Sequence, residues 1–169
     1  MNTLNVGIVG ATGYAGEELI EILLRHQGVR LSHLCAKIDE PKPISDFFPK
    51  FKNRIEAVCH LLDIDELVEK CDLVFLALPH TVSMEVAPAL IKAGKKVIDL
   101  SADYRLRDTK VYQQFYKVSH KDKDNLKAAV YGLPELYRTK IKSAALIANP
   151  GCYPTAAILA LAPIIALGS

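Results

Sequence analysis

Short apolar runs alternate along this chain with longer stretches whose apolar positions return at helical spacing, and that alternation predicts the elements. Leu4 to Val9, Arg30 to Ala36, Leu73 to Leu78, Val97 to Leu100 and Ala145 to Ala148 read as buried strands, with Ala57 to Leu62 a shorter one. A helix follows the first strand as far as His26, with Leu19, Ile20, Leu23 and Leu24 on its inner face and Gly28 closing it. Asp63 or Asp65 is placed to cap a helix running to Lys70. Ser83 to Ala93 reads as a helix closed by Gly94, Val111 to Tyr116 as helical, and Tyr153 to Leu167 as an apolar helix with Pro154 in its first turn. Pro163 is expected to kink that last helix. Residues 40 to 54, with Pro41, Pro43 and Pro49, read as an irregular loop, and Lys121 to Asp124 as a solvated charged turn. Tyr131 to Glu135 interrupts the pattern before a short helix. Strand followed by helix, repeated, defines the α/β class with a doubly wound, mainly parallel sheet.

The first β-α-β unit carries Gly10-Ala11-Thr12-Gly13-Tyr14-Ala15-Gly16 between its strand and its helix. Glycines at 10, 13 and 16 sit where a pyrophosphate needs a tight turn, a close backbone approach and an open helix N-terminus. The spacing is G-x-x-G-x-x-G rather than G-x-G-x-x-G, and its placement after a strand and before a helix gives it weight. The fold expected is therefore Rossmann-like, with a dinucleotide bound by residues 10 to 16. At the end of the second strand a ribose-binding acid would mark NAD, but Cys35-Ala36-Lys37 stands there. A cation suits a 2′-phosphate, so NADP is the cofactor expected, with a solvated surface lysine as the alternative for Lys37.

Ligands of such sheets lie outside the carboxyl ends of the strands. The glycine loop, Leu78-Pro79-His80, Ser101 to Arg105 and Asn149 to Cys152 all follow predicted strands and so converge on one crevice. Leu78, Pro79, His80 and Ser101 are expected on the cofactor side, Arg105 and Asn149 on the substrate side. His80 either polarises a carbonyl near the nicotinamide or is an ordinary loop residue. Arg105 either clamps a phosphate or carboxylate through its fork, or pairs with Asp99, Asp103 or Asp108.

Charge and cysteine usage narrow the picture. The 169 residues are 50% hydrophobic with a formal charge of +2, and no basic run calls for nucleic acid or an anionic membrane. No signal-peptide pattern opens the chain, and no apolar run is long enough to span a bilayer. Cys35, Cys59, Cys71 and Cys152 make no CxxC pair, so neither a zinc site nor a disulfide framework is expected, and a reducing cytoplasm fits. Cys35, Cys59 and Cys71 lie in or beside regular elements, where a cysteine serves as a small hydrophobe. Cys152 differs. It sits in Asn149-Pro150-Gly151-Cys152-Tyr153-Pro154-Thr155, between a strand and the start of a helix whose N–H groups favour thiolate over thiol. The alternative for it is the same structural role as the other three. A thiolate beside a nicotinamide points to attack on an acyl phosphate, loss of phosphate, and hydride reduction of the thioester to an aldehyde. An extended short-chain epimerase or reductase shares the Gly-Ala-Thr-Gly loop but needs Tyr-x-x-x-Lys, which no tyrosine here supplies.

The glycine loop, Ser101-Ala102-Asp103-Tyr104-Arg105 and the Asn149 to Thr155 motif together resemble the N-acetyl-gamma-glutamyl-phosphate reductases, relatives of aspartate-semialdehyde dehydrogenase. The resemblance implies NADP, N-acetyl-glutamyl phosphate as substrate, arginine biosynthesis, Cys152 as acyl acceptor, Arg105 near the substrate phosphate, and a homo-oligomer. It also implies a division at residue 148: 1–148 as the NADP-binding domain, and 149–169 as the nucleophile turn and first helix of a second, α+β catalytic and dimerisation domain. Most of that domain, with the catalytic histidine and much of the acyl pocket, is expected to be absent here. His80 matches no catalytic position of the family. An isolated NADP-binding module without turnover is the competing expectation.

Overall fold

The computed structural model describes residues 3–168. The elements are β1 (Leu4–Val9), α1 (Tyr14–Leu23), β2 (Val29–Cys35), β3 (Lys42–Pro43), α2 (Ile44–Phe47), β4 (Val58–His60), α3 (Ile64–Lys70), β5 (Leu73–Leu76), α4 (Ser83–Lys92), β6 (Lys96–Asp99), α5 (Thr109–Tyr116), α6 (Lys123–Ala128), β7 (Val130–Tyr131), α7 (Pro134–Ser143), β8 (Leu146–Ala148) and α8 (Cys152–Ala166). The strands form one sheet in the order β3-β4-β2-β1-β5-β6-β8-β7. Every pairing is parallel except β3 with β4. The doubly wound sheet expected from the alternation is the one observed.

Both faces of the sheet are covered, which is why its central strands read as continuous apolar runs. On one face Ile8, Leu34, Ile44, Phe51 and Cys59 pack with Ile20 of α1. On the other, Val9, Val74, Leu76 and Val97 meet Leu67 of α3 and Met84, Val86 and Leu90 of α4. Between Val6 and Gly7 the β1–β2 register slips past Ser32, whose hydroxyl donates to the Val6 carbonyl at 3.2 Å.

Helix starts follow local chemistry. Asp63 Oδ1 accepts from the N–H groups of Asp65 at 2.8 Å and Glu66 at 3.1 Å, making Asp63 rather than Asp65 the cap of α3. Asp108 does the same for α5. Gly94, at φ +77, follows the end of α4 as expected.

Several boundaries differ from the pattern. α1 ends at Leu23 and the chain turns through 24–28, so Gly28 lies beyond the helix it was expected to close. The proline-rich stretch is structured: it holds β3, α2 and a 3-10 turn at Pro49–Phe51 that buries Phe51. The charged turn at 121–124 is a helix start, since Asp122 caps α6. Tyr131 is paired with Ala148 in a two-residue strand. α8 runs on through Pro163 to Ala166 and carries no buried residue.

The proline-rich stretch is tied to α1 by charge. Arg54 donates Nη1 to Glu21 Oε2 and Nη2 to Oε1, each at 2.8 Å, and Arg25 Nη2 donates to Oε1 at 2.5 Å. The Arg54 bonds hold the Glu21 carboxyl down, at about 2 against 4.5; burial opposes them and Arg25 assists. A depressed carboxyl stabilises the fold above its unfolded value and loses that contribution as pH falls through the folded one. Glu21→Gln is therefore expected to lower stability by a constant amount above pH 4.5, and the gap from wild type should close as pH falls toward 2. Denaturant melts across that range check this, and a gap that does not change with pH would refute it.

Candidate active site

The residue just past six of the eight strands (β7, β8, β6, β5, β1 and β2) donates its N–H to the last residue of the neighbouring strand, and these bonds form one row across the sheet's carboxyl edge. Gly132 donates to the Ala148 carbonyl (2.8 Å), Asn149 to Asp99 (2.8 Å), Leu100 to Leu76 (2.9 Å), Ala77 to Val9 (2.8 Å), Gly10 to Cys35 (2.7 Å) and Ala36 to His60 (3.0 Å). The segments singled out in the sequence are thus brought to one edge by backbone bonding.

At the centre of the row, between β1 and β5, lies the point where the chain's winding reverses, the usual ligand crevice of such sheets. Gly10 crosses it at φ +89, and a β-carbon there would stand 2.2 Å from the Ala77 carbonyl oxygen. A β-carbon on Gly16 would stand 2.4 Å from the Gly10 carbonyl oxygen, so this glycine lets α1 close on the loop. Gly13 is different: a β-carbon would have only one contact, at 3.5 Å, and the space above it is open. No side chain caps α1. The N–H groups of Tyr14, Ala15 and Gly16 open its first turn without intrahelical partners, which suits a pyrophosphate.

Beside the loop is a groove of about 370 Å³ lined by Val9, Ala36, Lys37, Ile38, Leu61, Leu62, Leu78 and Val82. It is apolar apart from the exposed Lys37, and has the character of an adenosine pocket with a cation at its rim. These residues fit a dinucleotide.

On the other side of the reversal the 101–105 segment is held by a polar network. Asp103 is fully buried; its Oδ1 accepts from Thr81 N–H (2.7 Å) and Tyr112 Oη (2.8 Å), and its Oδ2 from Met84 N–H (3.1 Å). Its own carbonyl lies 2.7 Å from His120 Nε2. Asp122 N–H donates to His120 Nδ1, which leaves Nε2 to donate to Asp103. Tyr104 Oη donates to Asp122 Oδ2 at 2.7 Å. Ser101 Oγ donates to Asp99 Oδ2 (2.8 Å) and accepts from Asp103 N–H (3.1 Å). Burial pushes the Asp99 carboxyl up, against the bonds it accepts.

Thr81 is held at φ +74, a left-handed conformation that strains a β-branched residue by about 1–3 kcal/mol. Its bond to Asp103 is what fixes it there. The neighbouring His80 accepts at Nδ1 from Ala102 N–H (3.0 Å), and its ring packs edge-on with Tyr116, the ring centroids 5.4 Å apart. His80 thereby ties the 78–81 loop to the 101–105 loop.

Arg105 reaches across to the last strand exit. Nε donates to the Asn149 carbonyl at 2.7 Å and Nη2 to the Leu100 carbonyl at 2.6 Å. Among the described residues no carboxyl group pairs with it, so the expected alternative of an ion pair with Asp99, Asp103 or Asp108 is not what is found. Cys152 begins α8 and is exposed, whereas Cys35, Cys59 and Cys71 are buried. Burial pushes the Cys35 thiol up to about 12 and the Cys59 thiol to about 11. No side chain caps α8, and Pro154 has no N–H, so Cys152 and Tyr153 carry the free first-turn donors. Thr155 satisfies the Gly151 carbonyl through both its N–H (3.0 Å) and its hydroxyl (2.9 Å).

Asp103 and Tyr104 were marked by the Ser101 to Arg105 segment, but their partners Tyr112, His120 and Asp122 had no sequence signal, since they come from two further segments with no common motif.

The fold and the glycine-lined crevice define a dinucleotide-binding α/β domain. Residues 5–144 match the family described as semialdehyde dehydrogenase, NAD binding domain, and the chain belongs to that family. An N-acetyl-gamma-glutamyl-phosphate reductase of Sulfurimonas denitrificans is 50% identical over 163 residues, covering 96% of this chain and 48% of the relative. One of Desulforamulus reducens is 47% identical over 162 residues, covering 96% and 47%. The chain spans about half the length of these relatives. Among solved structures, aspartate semialdehyde dehydrogenase with NADP from Candida albicans aligns at TM-score 0.69 and 18% identity, covering 97% of this chain and 47% of that one. Aspartate semialdehyde dehydrogenase II from Vibrio cholerae, complexed with ASA, aligns at 0.63 and 22%, covering 96% and 46%. Both likenesses are of fold.

Asp103→Asn sets an amide N–H2 against the donors that now face Oδ2 or Oδ1, leaving at least one unpaired. The expected cost is about 2 kcal/mol of folding stability, measured by denaturant melts. A loss below about 0.5 kcal/mol, the range of ordinary surface changes, would show that the network is not the clamp its geometry describes.

Proposed function

We propose that this chain carries the nucleotide site and the nucleophile for NADPH-dependent reduction of N-acetyl-glutamyl 5-phosphate to N-acetyl-glutamate 5-semialdehyde and phosphate, a step of arginine biosynthesis. The observation that carries the reading is the exposed Cys152 at the first residue of an uncapped helix, on the same sheet edge as the glycine loop. The reductase names of the relatives support it.

In this reading Gly10, Ala11, Thr12, Gly13, Tyr14, Ala15 and Gly16 hold the cofactor pyrophosphate. Lys37 meets the 2′-phosphate, and Leu78, Pro79, His80 and Ser101 border the cofactor. Cys152 Sγ attacks the acyl carbon, and the bond to the phosphate oxygen breaks as the phosphate leaves with the electron pair, giving a thioester on Cys152. The free N–H groups of Cys152 and Tyr153 are the nearest donors for the oxyanion that forms on the way. Asn149 and the unspent Nη1 of Arg105 face the substrate side. When bound, NADPH supplies the hydride to the thioester carbon, and the aldehyde forms as the C–S bond breaks and the electron pair returns to Cys152 Sγ as thiolate. Residues 1–148 form the nucleotide domain in this proposal, and 149–169 open a catalytic domain. A homo-oligomer in the cytoplasm accompanies it.

A second reading is a binding module that is acylated at the exposed Cys152 without turnover. One assay separates the two. With NADP, phosphate and the semialdehyde, NADPH formation by wild type, cut at least about a thousandfold in Cys152→Ser, is expected of the reductase. Acylation of Cys152 by the acyl phosphate with no NADPH consumption is expected of the module. Turnover that survives in Cys152→Ser, or no acylation of the wild type at all, would overturn the proposal.

Lys37→Glu is expected to weaken NADP binding about tenfold more than NAD binding, the worth of one charge-assisted contact. Calorimetric titration with each nucleotide checks this, and equal losses would remove Lys37 from the 2′-phosphate.

A further inference from the structure

The two bonds made by the Arg105 side chain do not end on acids or point into the crevice. They end on the main chain at two strand exits: Leu100, just past β6, and Asn149, just past β8. Asn149 opens the turn that delivers Cys152. A guanidinium is planar, so donors fixed on two carbonyls set its plane, and the plane in turn sets the separation of the two loops. The base of this strut is packed and hydrogen-bonded. Ser101, Ala102, Asp103 and Tyr104 are all buried, and Arg105 N–H donates to the Ala102 carbonyl at 3.2 Å.

The far end meets the turn as closely. A β-carbon on Gly151 would lie 3.2 Å from Arg105 Nη1, and its other contacts would be ordinary ones with the Pro154 ring at 3.4 Å and 3.8 Å. Gly151 lies at φ −70 and ψ 158, a conformation open to any residue. The closest constraint on a side chain at 151 is therefore the arginine and not the backbone. Asn149 N–H is bonded to the Asp99 carbonyl, so the turn is held once from the sheet and once from Arg105.

We infer that Arg105 is a positioning residue: it bridges the Leu100 and Asn149 carbonyls and so sets the Asn149-Pro150-Gly151 turn that aims Cys152. The link to reactivity rests on the reading of Cys152 as nucleophile; the bracing of the turn does not. Two of the five guanidinium N–H groups serve the protein, and the two on Nη1 and the second on Nη2 are left to face a ligand. This differs from an arginine whose whole task is to hold substrate phosphate.

Two measurements on this chain test it, both in phosphate-free buffer so that anion binding cannot contribute. The first is amide hydrogen exchange in wild type, Arg105→Ala and Arg105→Lys. Bracing predicts exchange at least about tenfold faster at the Asn149 and Thr155 amides in both variants, with Val97 and Leu146 in the adjoining strands unchanged. Lysine keeps the charge but has no planar fork, so it is expected to restore little. Unchanged exchange at 149–155, or full restoration by lysine, would overturn the inference. So would acceleration that spreads equally into β6 and β8, because that is general loosening.

The second measurement is alkylation by iodoacetamide, read at each cysteine by mass spectrometry. Arg105→Ala is expected to slow Cys152 about tenfold and leave the three buried cysteines as they are. Gly151→Ala should slow Cys152 in the wild-type background and add nothing in Arg105→Ala, because the atom it crowds has gone. Additive losses would overturn the inference. A wild-type Cys152 no more reactive than a free model thiol would instead overturn the nucleophile reading, and the exchange result would still decide the bracing.

Discussion

The row of six backbone bonds along the carboxyl edge is the constraint on which the rest of this molecule depends. Each of these six strand exits is held by its neighbour, from Gly132 at one end to Ala36 at the other. Loops that leave a sheet so tied begin from fixed points, and their first residues inherit the precision of the sheet. The demand is greatest at Gly10, where the loop after β1 passes against the Ala77 carbonyl with no room for a side chain. Moving either strand would open or close the crevice at the place where the winding reverses.

The two sides of that crevice are built on different principles. The glycine side is shaped by what is left out: no side chain over Gly13, no cap on α1, and an apolar groove with one cation at its rim. The other side is shaped by saturation. Asp103 takes three donors in the interior and gives its carbonyl to His120, and a strained Thr81 is locked by the same carboxyl. Buried networks of this kind are costly to leave half-made, so the 78–81 and 101–105 loops move together or not at all. Cys152, by contrast, stands exposed at the end of a turn that depends on longer-range support.

Most of this fold was legible along the chain because it follows from period and capping. Apolar runs marked β1, β5 and β6, Asp63 or Asp65 marked the start of α3, and the glycines at 10, 13 and 16 marked the first loop. What stayed hidden is short or long-range. A two-residue strand such as β7 has no period to detect. The proline-rich stretch folds because Ile44 and Phe51 reach the core and Arg54 reaches Glu21, partners far away in sequence. Lys121 to Asp124 showed only charge, although one of its acids caps a helix and holds Tyr104. Arg105 was visible as a crevice residue, but nothing in its neighbours said that its bonds would fall on carbonyls and not on acids.

The outer strands of the sheet carry a consequence of their own. β3 and β7 are two residues each, and β3 ends in Pro43, which has no N–H to offer. A sheet edge is ordinarily a template on which another chain can add a strand, and short or proline-bearing edges blunt that template. Strand addition from copy to copy is thereby disfavoured at both margins of this sheet.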